Sequence, residues 1–160
     1  MLKPATDLYN HTQTWSAGGS ADSSGDPKIV TAGATEDGVE VTGETIDLGA
    51  DLTRPMSGVL AVTGVTNLTA AKTLSIGAKI QESDDGSTWD TAEVLYAATV
   101  VKTGAAANGA AFQKAYPVKL KGRKQYVRFN ITPTMSHTST DTCVWAATLT
   151  GAGSQQLPAA

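Results

Sequence analysis

Residues 83–90, Ser-Asp-Asp-Gly-Ser-Thr-Trp-Asp, hold the densest set of chemistry-bearing side chains in the chain. Three kinds of chemistry use such residues. A calcium loop of the EF-hand type needs oxygen ligands at alternating positions and a bidentate acid at the twelfth. Asp84 and Asp85 are adjacent, and Glu93 lies nine residues after Asp84, two short of that spacing. A catalytic carboxylate pair needs a cleft and a defined separation, whereas adjacent acids at a hairpin tip are solvated. The third reading is a turn. Ser83, Asp84, Asp85 and Gly86 form a type I or related turn, with Gly86 free to take positive φ. Trp89, just past it, is placed to fold back over the barrel end or to meet a partner. The spacing favours the hairpin, so no metal, no cofactor and no catalytic residue is expected here.

The remaining candidates carry less. Cys143 is the only cysteine, so it forms no intrachain disulfide and no multi-thiolate zinc site. Its setting, TCVWAATL, suits a buried small hydrophobe. A nucleophilic role would need a histidine partner, and His11 and His137 lie in the N-terminal region and in a Thr/Ser-rich loop. The basic cluster at 118–128, VKLKGRKQYVR, falls inside an alternating pattern and reads as the solvated face of two strands. With 12 Lys+Arg against 15 Asp+Glu, the formal charge is −3, which argues against a nucleic-acid partner. No run approaches the ~18 apolar residues of a membrane span. The start has no long apolar stretch of a secretory signal.

The elements that must position these residues are strands. Thr, Ala and Gly dominate, a composition poor for long amphipathic helices and good for short strands. Residues 28–32, 39–48 and 57–65 are β-branched runs between glycine-containing turns. Residues 73–83 alternate, with Leu74, Ile76, Ala78 and Ile80 on one face. Residues 92–101, AEVLYAATVV, are apolar on both faces, which predicts a central strand or one covered by a partner. Residues 112–120 carry Pro117, an edge or bulge signal. Residues 124–132 place Val127, Phe129 and Ile131 inward and Tyr126, Arg128 and Asn130 outward. Residues 142–150 place Cys143, Trp145, Ala147 and Leu149 on one face. About eight strands without crossover helices predict an all-β fold, an antiparallel β-sandwich or barrel of jelly-roll or immunoglobulin-like type, with jelly-roll-like architecture preferred.

Three regions follow: an extended N-terminal arm over 1–27, the sandwich over 28–150, and a C-terminal tail over 151–160. The arm's apolar residues have neither the strand nor the helix period. Leu8, Tyr9 and Trp15 are costly to leave in water, so the arm is expected to pack on its own sandwich or on a neighbouring subunit. Leu8, Tyr9, Trp15 and Trp89 are the candidate partner-binding residues.

Three stretches carry a resemblance: IQESDDGSTWDTAEVL, then GRKQYVRFNIT, then AATLTGAGSQQLP. Together, over roughly residues 57–158, they resemble the head decoration or cement proteins of tailed bacteriophages. Those have a strand ending in a Q-S-x-D-G-x-T-W/F motif, then a Y-V/L-R strand, then an alanine-rich last strand. The resemblance implies a non-enzymatic virion protein that binds the assembled major capsid lattice and stabilises it. It would sit on the outer capsid surface, having been made in the host cytoplasm. It also implies a homo-oligomer, with a trimer favoured over a dimer. Other expectations are a head fibre, tail or neck component, or a carbohydrate-binding sandwich. The last needs an aromatic platform, for which Trp89 and Tyr116 are the candidates while Trp145 belongs to the core.

Overall fold

The computed structural model describes residues 12–19, 29–34, 37–49, 54–105, 110–136 and 140–153. Ten strands lie among these described residues: β1 (Thr12–Gly19), β2 (Val30–Thr31), β3 (Val41–Thr42), β4 (Ile46–Asp47), β5 (Ser57–Asn67), β6 (Thr73–Ser83), β7 (Glu93–Thr103), β8 (Ala110–Lys119), β9 (Tyr126–Met135) and β10 (Thr142–Ala152). They form two antiparallel sheets. The first has the order β1-β10-β5-β8, with β2 also on β10; the second has the order β3-β9-β6-β7, with β4 also on β9.

The pairing follows a simple rule. Take β3 and β4 as one strand position and set the two-residue β2 aside. The first position then pairs with the last, β1 with β10. The second pairs with the seventh, β3/β4 with β9; the third with the sixth, β5 with β8; the fourth with the fifth, β6 with β7. Two further ladders, β10 with β5 and β9 with β6, roll this long hairpin into a sandwich. This is the connectivity of a jelly roll.

Strict alternation builds the core. Leu60 and Val62 of β5, Leu74, Ile76 and Ile80 of β6, Val127, Phe129 and Ile131 of β9, and Cys143, Trp145 and Leu149 of β10 are buried between the sheets. Each large aliphatic or aromatic side chain removed from water there contributes roughly 1.5–3 kcal/mol. A one-residue slip would turn each set outward, so burial fixes the register.

Three elements differ from expectation. Residues 12–19, expected within an arm, form β1, which pairs with β10 from Thr12↔Ala152 to Gly19↔Ala146. The sandwich therefore begins at least sixteen positions before residue 28. The single strand expected over 39–48 is split into β3 and β4 at Gly43. There a side chain would collide with the Ala17 carbonyl oxygen of β1, while the Gly43 N–H donates to the Phe129 carbonyl at 2.8 Å. Finally, β7 is an edge strand, not a central one. Val94 and Val100 on its outer side are 60% and 55% exposed. Pro117, by contrast, lies on the other edge strand, β8, where its missing N–H breaks no ladder bond.

The outer faces of the two sheets differ in kind. On the first sheet, β5 presents Ser57, Val59, Ala61, Thr63 and Val65, and each faces an uncharged neighbour on β10. On β8 the partners of those residues are Lys119, Pro117, Ala115, Gln113 and Ala111. Lys119, at a corner, is the only charge that the paired strands of this sheet place on this face among the described residues. The second sheet's face instead carries Glu40, Lys79, Gln81, Arg128 and Asn130, joined to one another.

Candidate functional site

The stretch 83–90 joins β6 to β7 and is held by its own side chains. The Ser83 hydroxyl donates to Asp85 Oδ1 at 2.9 Å and accepts the Gly86 N–H at 2.9 Å. Asp85 Oδ1 accepts the Thr88 N–H at 2.7 Å and the Ser87 N–H at 2.8 Å, and Oδ2 accepts the Thr88 hydroxyl at 3.0 Å. These bonds, the Thr88 and Ser87 amides foremost, hold the Asp85 carboxyl far below the usual carboxylate range. Gly86 takes φ +72°, the positive value the turn requires. Asp85 is thus spent on the turn, and its oxygens point at the loop's own donors.

The other acids are matched by cations from the β8–β9 connection. Arg123 Nη1 lies 2.5 Å from Glu82 Oε1 and 2.6 Å from Glu93 Oε2. Lys124 Nζ lies 2.9 Å from Asp84 Oδ2 and 3.0 Å from Asp90 Oδ2. The hydrogen bond from Arg123, then its charge, lowers the Glu93 pKa; the bonds to Asp84 and Asp90 raise that of Lys124. The Lys124 N–H also donates to Glu82 Oε2 at 2.8 Å. The basic cluster at 118–128 is therefore partly drawn into pairing with the acids of the hairpin. Among the described residues no group of three or more His, Cys, Asp or Glu is gathered in a metal-binding arrangement.

Trp89 does not project freely. The Arg128 guanidinium lies 4.2 Å from its ring centroid, and Arg128 Nε donates to Gln81 Oε1 at 2.9 Å. Gln81 in turn donates to the Asp90 carbonyl at 3.0 Å. Asn130 points outward as expected but is covered, with Nδ2 donating to Glu40 Oε1 at 2.9 Å and to Gln81 Oε1 at 3.1 Å. Tyr116, a platform candidate, is 3% exposed and packs against Tyr96 with ring centroids 4.5 Å apart, so it is a core residue. Trp145 is buried as expected.

Trp15 lies on the inner face of β1, half-buried against the core and over Gly151. It packs β1 onto its own sandwich, one of the two alternatives expected for the arm. Leu8 and Tyr9, with His11 and His137, lie outside the described residues. Cys143 is buried, and desolvation foremost, with the charge of Asp37, pushes its thiol up to about 11. It is therefore a neutral packing group at physiological pH.

A groove of about 640 Å³ lies beside β10, past the end of β1 at Gly19. Its lining is mostly Gly, Val and Ala, and Glu44 is its one ionisable side chain. A lone carboxylate without a partner base offers no acid–base couple.

No protein-family model matches the chain, and no curated protein matches it. Solved structures do. The chain is similar to the VP2 protein of infectious bursal disease virus in its subviral particle, at 12% identity and a TM-score of 0.51, covering 94% of this chain and 35% of that one. It is similar to the same virus's protein in derived T=1 particles, at 13% identity and a TM-score of 0.50, covering 93% of this chain and 33% of that one. The chain spans about a third of the length of these proteins. The shared property is the fold. At such identities the likeness is to the architecture of two antiparallel sheets.

Proposed function

We propose that this chain is a non-enzymatic structural protein of a virion, a decoration or cement protein that binds an assembled shell and stabilises it. The observation that carries the reading is the jelly-roll fold, similar to that of a protein seen in viral particles. The sequence resemblance to tailed-phage cement proteins agrees with it and narrows it to the outer surface of a capsid, with the major capsid protein as partner. The chemistry-bearing side chains support the same reading, because Asp85 is engaged by backbone amides and Glu82, Asp84, Asp90 and Glu93 by Arg123 and Lys124. A protein of this kind acts by mass action. Binding the assembled lattice and not its free subunits stabilises the lattice, multiplied over many sites. The resemblance favours three copies at a binding position over two.

The experiment is direct. Particles of the encoding virus, made with and without this protein, are imaged by electron microscopy and then heated or diluted into low salt. Extra surface density and a higher rupture temperature are expected when it is present. Equal stability and no added density would refute the proposal.

A carbohydrate-binding module is the second reading, and one observation bears on it. A sugar platform needs open aromatic faces, whereas Arg128 occupies one face of Trp89 and Tyr116 is buried.

A further inference from the structure

The outer face of the β1-β10-β5-β8 sheet is broad, and Lys119 is the one charge its paired strands place there among the described residues. We infer that it is a contact surface between copies of this chain. The inference rests on the structural reading above, and it names the surface through which the copies would meet.

The area argument comes first. Strands about 4.8 Å apart, rising about 3.3 Å per residue, give four strands of this length a face of roughly 600 Å². Two such surfaces in contact would bury about 1,200 Å², above the ~1,000 Å² that a specific interface should clear.

The chemistry of the face narrows the occupant. Val59 and Val65 are 42% and 54% exposed, and around them lie Ala, Thr, Ser and Pro. A partner carrying charges would lose their hydration here and find only Lys119, at one corner, as a counter-charge. A second copy meets the requirement with its own face, whose one charge, Lys119, lies at a corner. Small side chains let sheets approach to about 10 Å, and threonine hydroxyls such as the Thr14–Thr150 pair can exchange bonds across the contact. The opposite face of the sandwich is unsuited to this. Burying its Glu40–Lys79 pair and Arg128 would carry a desolvation cost.

The test uses the full-length protein without particles. Mass in solution is measured by light scattering for the wild type and for Thr63→Lys and Thr148→Lys, exposed positions at the centre of the face. The control is Thr134→Lys, exposed on the other sheet. The wild type and the control are expected to be oligomeric. Each face variant should weaken association by about a hundredfold or more, since a lysine would be buried without a partner. Melting of the dissociated variants by circular dichroism identifies any that fail to fold, and the folded one decides. A monomeric wild type, or an oligomer that both face lysines leave intact, would overturn the inference. A monomer that still decorates particles would overturn this contact alone and leave the proposed function standing.

Discussion

At the scale of single residues, Asp85 ties protonation to the hairpin. Its carboxylate is favoured in the folded state by the Thr88 and Ser87 amides, so its folded pKa is depressed. The stability it contributes is present above the unfolded value of about 3.9 and is lost as pH falls below it towards the folded pKa. Asp85→Asn keeps an oxygen acceptor but loses the charge. The stability difference between wild type and Asp85→Asn, from denaturant melts, should be constant from pH 7 to about 5 and shrink below about 4. A difference that persists unchanged to pH 2.5 would exclude the charge as its source. Ala71 offers the opposite test. It adopts φ +64°, where an L-residue is strained. Ala71→Gly should raise stability by roughly 0.5–1 kcal/mol, seen as a higher melting temperature, because relief of the strain of about 1–2 kcal/mol is partly offset by glycine's unfolded-state entropy.

At the scale of elements, β1 and β7 separate what alternation reveals from what it hides. The inward sets of β6, β9 and β10 were legible because one face is fully buried and the other solvated. β1, Thr-Gln-Thr-Trp-Ser-Ala-Gly-Gly, was not, because its register shifts between Ser16 and Gly18 and its inward apolar residues are only Trp15 and Ala17. A bulged strand of small polar residues has too little pattern to read. β7 was legible as a strand and illegible as an edge. Its register against β6 shifts three times, and such bulges bend an edge away from further pairing, while its charges, Glu93 and Lys102, stand only near its ends. The neighbouring edge is blunted otherwise: Lys102 Nζ donates to the Ala111 carbonyl at 3.1 Å, and the Tyr96 hydroxyl donates to the Pro117 carbonyl. At the hairpin, the turn and Gly86 could be read locally, but the pairing of its acids with Arg123 and Lys124 spans some forty positions and leaves no local signature. The role of β1 gives a prediction. Trp15→Ala should cost about 2 kcal/mol, less than the 3–5 of a fully buried Trp, read as a lower denaturation midpoint in the isolated protein. An unchanged midpoint with loss of a binding partner would return Trp15 to the class of exposed anchors.

At the scale of the whole molecule, the pairing rule makes nearly every ladder non-local. The β1–β10 ladder joins residues near opposite ends of the chain, and only β6–β7 forms across a short turn. Chains of this topology fold slowly, in milliseconds to seconds, because distant strands must meet before their contacts stabilise anything. Stopped-flow refolding should therefore lie in that range, and Asp85→Asn, at the one local hairpin, is a direct probe of whether β6–β7 forms first. A folding rate that falls in proportion to the lost stability would place this hairpin in the nucleus.

The Thr12↔Ala152 pairing has a consequence for the chain as a topological object. The described strands begin and end as neighbours, at Thr12 and Ala152. Joining Met1 to Ala160 would leave residues 1–11 and 153–160 to bridge those two neighbours. The circle would restrict the unfolded chain far more than the folded one. Loop-closure entropy puts the gain at about 2 kcal/mol, from the ratio of the full chain to that bridge. Backbone cyclisation by a split intein, followed by thermal melting beside the linear protein, should show that gain as a higher transition temperature with an unchanged circular dichroism spectrum. A circle that melts no higher than the linear form would mean that the two ends are held apart in the folded protein.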